Sequence, residues 1–271
     1  MATLDEALAK TNDTSVKHIV SLSGGKDSTA LALFMREHYP ELPVEYVFCD
    51  TGVELPETDE YLERLEAVLG TEIVRLNALD KLGAKKKGNR NPFDLWLEVY
   101  GGYLPSPRSR WCTRVLKIQP FEDYVGANTA YSYIGIRHDE NREGYTQQSK
   151  KPPSLSDKPN ILPIYPFKEH KMGLTDIQRL LEESGLGLPK YYNWRSRSGC
   201  YFCFYQQKGE WQALKRNHPD LFARAKMYEN PVNGAQFTWV EGRTLEDLEK
   251  DPRQYEVKAP DEVDGCAICH L

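Results

Sequence analysis

Ser23, Gly24, Gly25, Lys26, Asp27 and Ser28 form one unbroken run, SGGKDS. The glycine pair lets the backbone turn sharply and aim several N–H groups at one point. At a helix N-terminus that point carries partial positive charge and favours a phosphate. Lys26 adds a cation, Asp27 is a candidate magnesium ligand, and Ser28 is a hydroxyl donor and candidate N-cap. The ordinary P-loop pattern GxxxxGK[ST] is absent, so the chemistry of that class is not implied.

Sulfur forms the second set of reactive groups. The chain holds six cysteines, Cys49, Cys112, Cys200, Cys203, Cys266 and Cys269, the last four in two C-x-x-C pairs. In a reducing compartment such pairs read as metal, cluster or sulfur chemistry rather than a disulfide framework. Arg108, Arg110, Arg114 and Lys117 surround Cys112 in sequence and suit a pyrophosphate or substrate phosphate, since guanidinium groups bind phosphate bidentately. Cations so placed are expected to lower the Cys112 pKa and raise its thiolate fraction.

The elements that must position these groups follow from apolar periodicity. Ile19, Val20 and Leu22 predict a strand before SGGKDS, and Leu31, Phe34 and Met35 a helix after it. Val44 to Asp50 reads as a second strand, Glu57 to Leu69 as a helix begun by Pro56, and Thr71 to Leu76 as a third strand. A helix over residues 91–100, a strand from Tyr131 into Gly135, and a helix over 175–184 with a Thr175/Gln178 capping box complete the regular part. Strands alternating with helices predict a parallel twisted sheet with helices on both faces, which holds ligands at the carboxyl ends of its strands. We expect an α/β domain over residues 1–170 and a mostly helical region over 171–271. Within these, residues 80–90 (Lys85, Lys86, Lys87 and Arg90 included) and 146–160 read as surface loops.

Composition narrows the partners. The 271 residues, 40% hydrophobic and 28% charged, suit a globular enzyme, and a net charge of −5 confines any nucleic-acid contact to local basic patches. No apolar run reaches membrane-spanning length and the N-terminus is not a signal peptide, so a cytoplasmic protein without membrane contact is expected.

Taken together, the motifs carry a family resemblance. SGGKDS on a strand–turn–helix resembles the PP-loop of ATP pyrophosphatases, which split ATP between the α and β phosphates and adenylylate a substrate oxygen. D-T-G-x-x-x-P-E-T at Asp50 to Thr58 is similar to a segment of the phosphoadenylyl-sulfate reductase superfamily, with its adenine nucleotide alpha hydrolase-like, Rossmann-like fold. So are R-x-R-W-C-T-x-x-x-K-x-x-P from Arg108, G-I-R at Gly135 to Arg137, and R-x-G-C-x-x-C from Arg197. In the third segment Glu140 and Arg142 match and Asn141 replaces a serine.

The resemblance implies nucleotide contacts at Ser21, Ser23, Gly24, Gly25, Lys26, Asp27, Ser28, Asp50, Thr51, Gly52, Arg114, Gly135 and Arg137. It implies catalytic roles for Lys26, Asp27, Arg110, Cys112 and Lys117, with ATP and Mg2+ as cofactors. Cys200 and Cys203 are expected to meet Cys112. With Cys266 and Cys269 they would hold a [4Fe-4S] cluster or, alternatively, Zn2+.

An intact loop beside the W-C-T and C-x-x-C segments resembles most the DndC and SspD proteins of DNA phosphorothioation, an anti-phage defence. That implies adenylylation of a nucleic-acid oxygen, foremost the DNA backbone phosphate. The implied partners are DNA, a cysteine desulfurase or other persulfide donor, and further modification-system proteins. One alternative is an adenylyl-sulfate or phosphoadenylyl-sulfate reductase, whose mobile terminal Cys-Gly-Leu-His the CAICHL end loosely resembles. Another is a nucleotide-binding scaffold without catalysis.

Overall fold

The computed structural model describes residues 2–79, 91–140, 152, 154–231 and 234–258. Five short runs rich in β-branched, aromatic and leucine residues form strands: β1 (Val16–Leu22), β2 (Val44–Asp50), β3 (Val74–Asn77), β4 (Thr129–Tyr133) and β5 (Ile161–Ile164). All pair in parallel, in the order β3-β2-β1-β4-β5. Parallel neighbours need long crossovers, and helices supply most of them.

Alternation along the strands sends side chains to two faces. Val20, Leu22, Tyr46 and Phe48 pack with α2 (Lys26–His38), α3 (Pro56–Leu69) and α8 (Leu174–Glu183), and the short α1 (Leu4–Leu8) and α7 (Pro166–Glu169) join this layer. Ile19, Val47 and Ala130 point the other way, onto Phe121 and Val125 of α6 (Gln119–Val125). Both faces of the sheet are therefore covered, as expected of an all-parallel sheet.

A third core lies beyond the carboxyl ends of the strands. It joins Val53 and Leu55 to Phe93 of α4 (Pro92–Val99) and Trp111 of α5 (Trp111–Thr113). Trp211 and Leu214 of α9 (Lys208–Asn217), Phe222 of α10 (Pro219–Met227) and Leu245 and Leu248 of α11 (Leu245–Lys250) complete it. Between α5 and α6 the backbone widens into a π-helical turn, Arg114–Ile118. Such a turn inserts one residue into a helix and recurs at functional sites.

Three local expectations are corrected. Ser28 is not the N-cap of α2: Gly25 occupies that place, and Ser28 lies inside the helix. Helix α8 is capped by Gly173 rather than by Thr175, because the Asp176 carboxylate reaches back to the Gly173 N–H at 2.9 Å. The third strand begins at Val74, not at Thr71. Among the described residues no helix is long and apolar enough to cross a membrane.

Candidate functional site

In this strand order β1 lies between β2 and β4, and the chain reverses direction across the sheet there. A crevice is left at the carboxyl ends of β1 and β4. SGGKDS leaves β1 at that crevice, Asp50-Thr51-Gly52 ends β2 beside it, and Gly135-Ile136-Arg137 follows β4. Gly24 has a φ of +70°, and a Cβ there would lie 2.5 Å from Thr58 Cγ2. A Cβ on Gly25 would lie 2.7 Å from Ser198 Oγ. Glycine is required at the first position by the left-handed backbone, and at the second any side chain would have to push Ser198 away from the loop.

The loop is held from three sides. The Ser23 N–H donates to Ser28 Oγ at 3.1 Å, and the Ser28 hydroxyl donates to the Gly25 carbonyl at 3.2 Å. Tyr191 OH donates to the Gly24 carbonyl at 2.7 Å, and the Lys26 N–H donates to Tyr192 OH at 3.3 Å. From the cysteine-bearing segment, Ser198 Oγ donates to Ser23 Oγ at 3.2 Å. Helix α2 thus begins with N–H groups fixed in direction, the arrangement that binds anions at helix N-termini.

Lys26, Asp27 and Arg137 form a buried ion cluster behind the loop. Asp27 accepts from Lys26 Nζ through Oδ2 at 3.1 Å and from Arg137 Nη1 through Oδ1 at 3.0 Å. Burial works to lower the Arg137 pKa. Attraction to Asp27 and Glu140 and hydrogen bonds to Asp27 and Asp139 outweigh it and push the value above the ordinary one. As arranged, each Asp27 oxygen already accepts from one cation, Lys26 or Arg137. Gly135 completes the cluster sterically, since a Cβ there would lie 3.0 Å from the Asp27 carbonyl oxygen.

The cysteines converge on one cavity. Cys112, Cys200 and Cys203 line it, with Thr51, Lys117 and an apolar wall that includes Phe93, Leu116 and Phe202. Arg195, almost wholly buried, donates to the carbonyls of Gly199 (3.1 Å) and Cys200 (2.7 Å) and so fixes the C-x-x-C turn. Thr51 Oγ1 lies 3.6 Å from Cys200 Sγ and donates to the Glu54 carboxylate. Burial pushes Glu54 up to about 7, against the Thr51 hydrogen bond.

Burial also pushes the Cys200 thiol up to about 12, with Lys117 pulling the other way, and does the same to Cys49, which donates to the Lys117 carbonyl at 3.5 Å. Desolvation thus outweighs the nearby cation at these two thiols. Among the described residues no group of three or more His, Cys, Asp or Glu is close enough to hold a metal ion. Cys266 and Cys269 lie outside the described residues. The described donor set therefore does not form a cluster or zinc site, and no chemistry below passes through one.

Other expected contacts are dispersed. Arg114 turns to Glu122 at 3.2 Å with its side chain half exposed, away from the loop. Asp50 Oδ1 accepts from the Gly52 N–H at 2.8 Å and shapes its own turn. Ser21 is buried on β1, its hydroxyl without a hydrogen-bond partner among the described residues, and Arg110 occupies the position before α5. Lys85, Lys86, Lys87, Arg90, Asn141 and Arg142 lie outside the described residues.

Sequence reasoning did not single out Arg197. Its residue is 5% exposed, neither Nη1 nor Nη2 has a hydrogen-bond partner among the described residues, and its guanidinium lies 5.1 Å from the Tyr205 ring centroid. It stands between Ser196, held by Glu210, and Ser198, which touches the loop. A buried guanidinium with two unpartnered nitrogens is costly unless an anion completes it. Its place as the first residue of R-x-G-C-x-x-C was the available signal.

A family profile described as the phosphoadenosine phosphosulfate reductase domain matches residues 17–205. An uncharacterized protein of Methanocaldococcus jannaschii is 27% identical over 213 residues, covering 76% of this chain and 40% of its own length. The chain thus spans about two fifths of that relative. A phosphoadenylyl-sulfate reductase structure from Candida auris, in a phosphate complex, has 13% identity and a TM-score of 0.48, covering 71% of this chain and 84% of its own. The tRNA thiolase of Methanococcus maripaludis with its [4Fe-4S] cluster has 18% identity and a TM-score of 0.40, covering 94% and 90%.

Proposed function

We propose an ATP pyrophosphatase of sulfur transfer: the chain belongs to the phosphoadenosine phosphosulfate reductase domain family, and its loop and cysteines are joined by one short segment. That segment carries the reading. Ser198 bonds the loop at Ser23, and two residues on, Cys200 lines the cavity shared with Cys112 and Cys203. A nucleotide held by the loop and a sulfur held by the cysteines would meet across that segment.

In the proposed reaction, a substrate oxygen attacks the α-phosphorus of ATP, the bond to the β-phosphate oxygen breaks, and pyrophosphate leaves. The N–H groups that open α2, together with Lys26, Arg137 and Arg197, neutralise the charge that develops on the leaving group. Asp27 holds Lys26 and Arg137 in place until the nucleotide arrives. The adenylylated oxygen is then a good leaving group. The terminal sulfur of a persulfide, delivered by a desulfurase-like donor, attacks the activated centre, and AMP departs with the oxygen. A cavity thiol, Cys200 or Cys203, then attacks the donor sulfur of the resulting S–S bond: the new sulfur stays on the substrate as thiolate, and the donor sulfur passes into a disulfide with the cysteine.

The acceptor we propose is a nucleic acid, foremost the DNA backbone phosphate, as the sequence motifs of the DndC and SspD type suggest. The test is direct. Purified protein with Mg2+ is expected to convert ATP to AMP and pyrophosphate, and mass spectrometry is expected to find sulfur-bearing nucleotides in DNA from cells with the gene and not in DNA from cells without it, with tRNA from both as control. Formation of ADP and phosphate, or no turnover with either nucleic acid present, sinks the reading. The family profile itself favours a second reading, reduction of a nucleotide-linked sulfate. Sulfite release from an adenylyl sulfate in the presence of a thiol would establish it instead.

A further inference from the structure

The exposed end of α4 stands beside the cysteine cavity and takes no part in the chemistry above. Val99 is 71% exposed and Tyr100 39% exposed, adjacent in a described surface with few other large exposed apolar side chains. The Tyr100 ring stacks on Trp111, with centroids 4.7 Å apart and planes at 15°. Trp111 in turn stacks on Phe93 at 5.3 Å, and Phe93 lines the cavity that holds Cys112, Cys200 and Cys203. A continuous series of rings therefore runs from solvent to the cavity wall. Arg110 immediately precedes Trp111, and the exposed Arg108 lies in the turn closed by the Ser106–Ser109 bridge.

We propose that Val99 and Tyr100 form a docking platform for an unpaired base of a DNA strand, with Arg108 and Arg110 steering its backbone. This inference rests on the nucleic-acid reading of the function and deepens it. Size argues for a base rather than a protein. Two side chains fall far short of the roughly 800 Å² per partner of a stable protein interface. One base, by contrast, covers about one aromatic ring, and stacking on aromatic side chains tolerates any base sequence. Arg108, exposed in the turn that leads into Trp111, and Arg110, which immediately precedes it, supply the positive charge that suits a phosphate backbone, with Glu98 the exposed carboxylate next to Val99. Stacking one base on Tyr100 would hold the neighbouring backbone close to the rings that lead to the cavity, where a sulfur acceptor is needed.

The experiment is fluorescence anisotropy with a short labelled single-stranded DNA, its duplex and the matching RNA, using wild type, Tyr100→Ala, Tyr100→Trp and Val99→Glu. Single-stranded DNA is expected to bind more tightly than duplex. Tyr100→Ala should weaken it by about tenfold or more, the range of one lost base stack. Tyr100→Trp should keep the affinity. Val99→Glu, at a position with little packing to lose, should weaken it without lowering the melting temperature.

Equal binding by Tyr100→Ala and wild type overturns the platform. So does binding of RNA alone, or a concentration-dependent dimer that Val99→Glu abolishes. Wild-type protein that forms AMP from ATP but binds no DNA strand also overturns it. Protein that binds the strand in a Tyr100-dependent way but never forms AMP overturns the ATP-cleavage reading and supports the platform.

Discussion

Replacing Arg197 by methionine separates a binding role from a structural one, because the two roles predict opposite signs of stability change. The guanidinium is 5% exposed and its two terminal nitrogens have no hydrogen-bond partner among the described residues. Leaving such groups buried costs about 1–3 kcal/mol. The stacking of the cation near Tyr205 returns about 0.5–2 kcal/mol. Methionine fills a similar length without the charge. Arg197→Met is therefore expected to be neutral or stabilising, up to about 2 kcal/mol, with a rise in Tm of about 2–4 °C per kcal/mol.

Anion binding should move the other way. A charge-assisted hydrogen bond is worth about 1.5–3 kcal/mol, so losing one weakens ATP and pyrophosphate by roughly tenfold to somewhat over a hundredfold. The assay is thermal melting with and without ATP or pyrophosphate. Wild type should be stabilised in proportion to the logarithm of ligand concentration over Kd, and the variant should need far more ligand for the same shift. A lower Tm combined with unchanged ligand response would refute the reasoning and make Arg197 a structural residue.

Three further substitutions test the rest of the site. Asp27→Asn leaves the buried Lys26 and Arg137 without their counter-charge, at a cost of about 3–5 kcal/mol, and should lower Tm and abolish AMP formation. A Tm within error of wild type would show that the cluster does not form. Glu54 has its folded pKa raised from 4.5 to about 7, so its contribution is fully present below about pH 4.5 and is lost as pH rises through 7. Glu54→Gln should remove that slope, on the order of 3 kcal/mol, and make the variant more stable than wild type at pH 8; parallel denaturant profiles of the two proteins across this range would contradict it. Cys200→Ser should abolish sulfur transfer while ATP cleavage to AMP continues, measured by nucleotide chromatography beside sulfur analysis of the acceptor; loss of both activities would tie the thiol to the nucleotide step.

Legibility in the sequence followed the range of the interactions. Strand and helix periods depend on neighbours a few residues apart, so β1, α2, β2 and α3 could be read directly from Ile19, Leu31, Val47 and Leu62. Glycine requirements were also legible as motifs, though the reason at Gly25 is Ser198, far along the chain. Capping failed at Ser28 and Thr175 because several nearby residues could serve, and backbone geometry chose Gly25 and Gly173. The π-helical turn at Arg114–Ile118 left no trace in the residue pattern.

The sequence by itself determined the inventory: a glycine-rich phosphate loop, arginines and paired cysteines on an alternating strand–helix chain, because residue types and local spacing are one-dimensional properties. Tertiary structure decided which of them meet. It set Asp27 against Lys26 and Arg137, turned Arg114 away to Glu122, and brought Ser198 to the loop so that Cys200 stands near it. It also set the state of the thiols. At Cys200 and Cys49 desolvation outweighs the pull of Lys117, and burial is a property only the folded chain possesses.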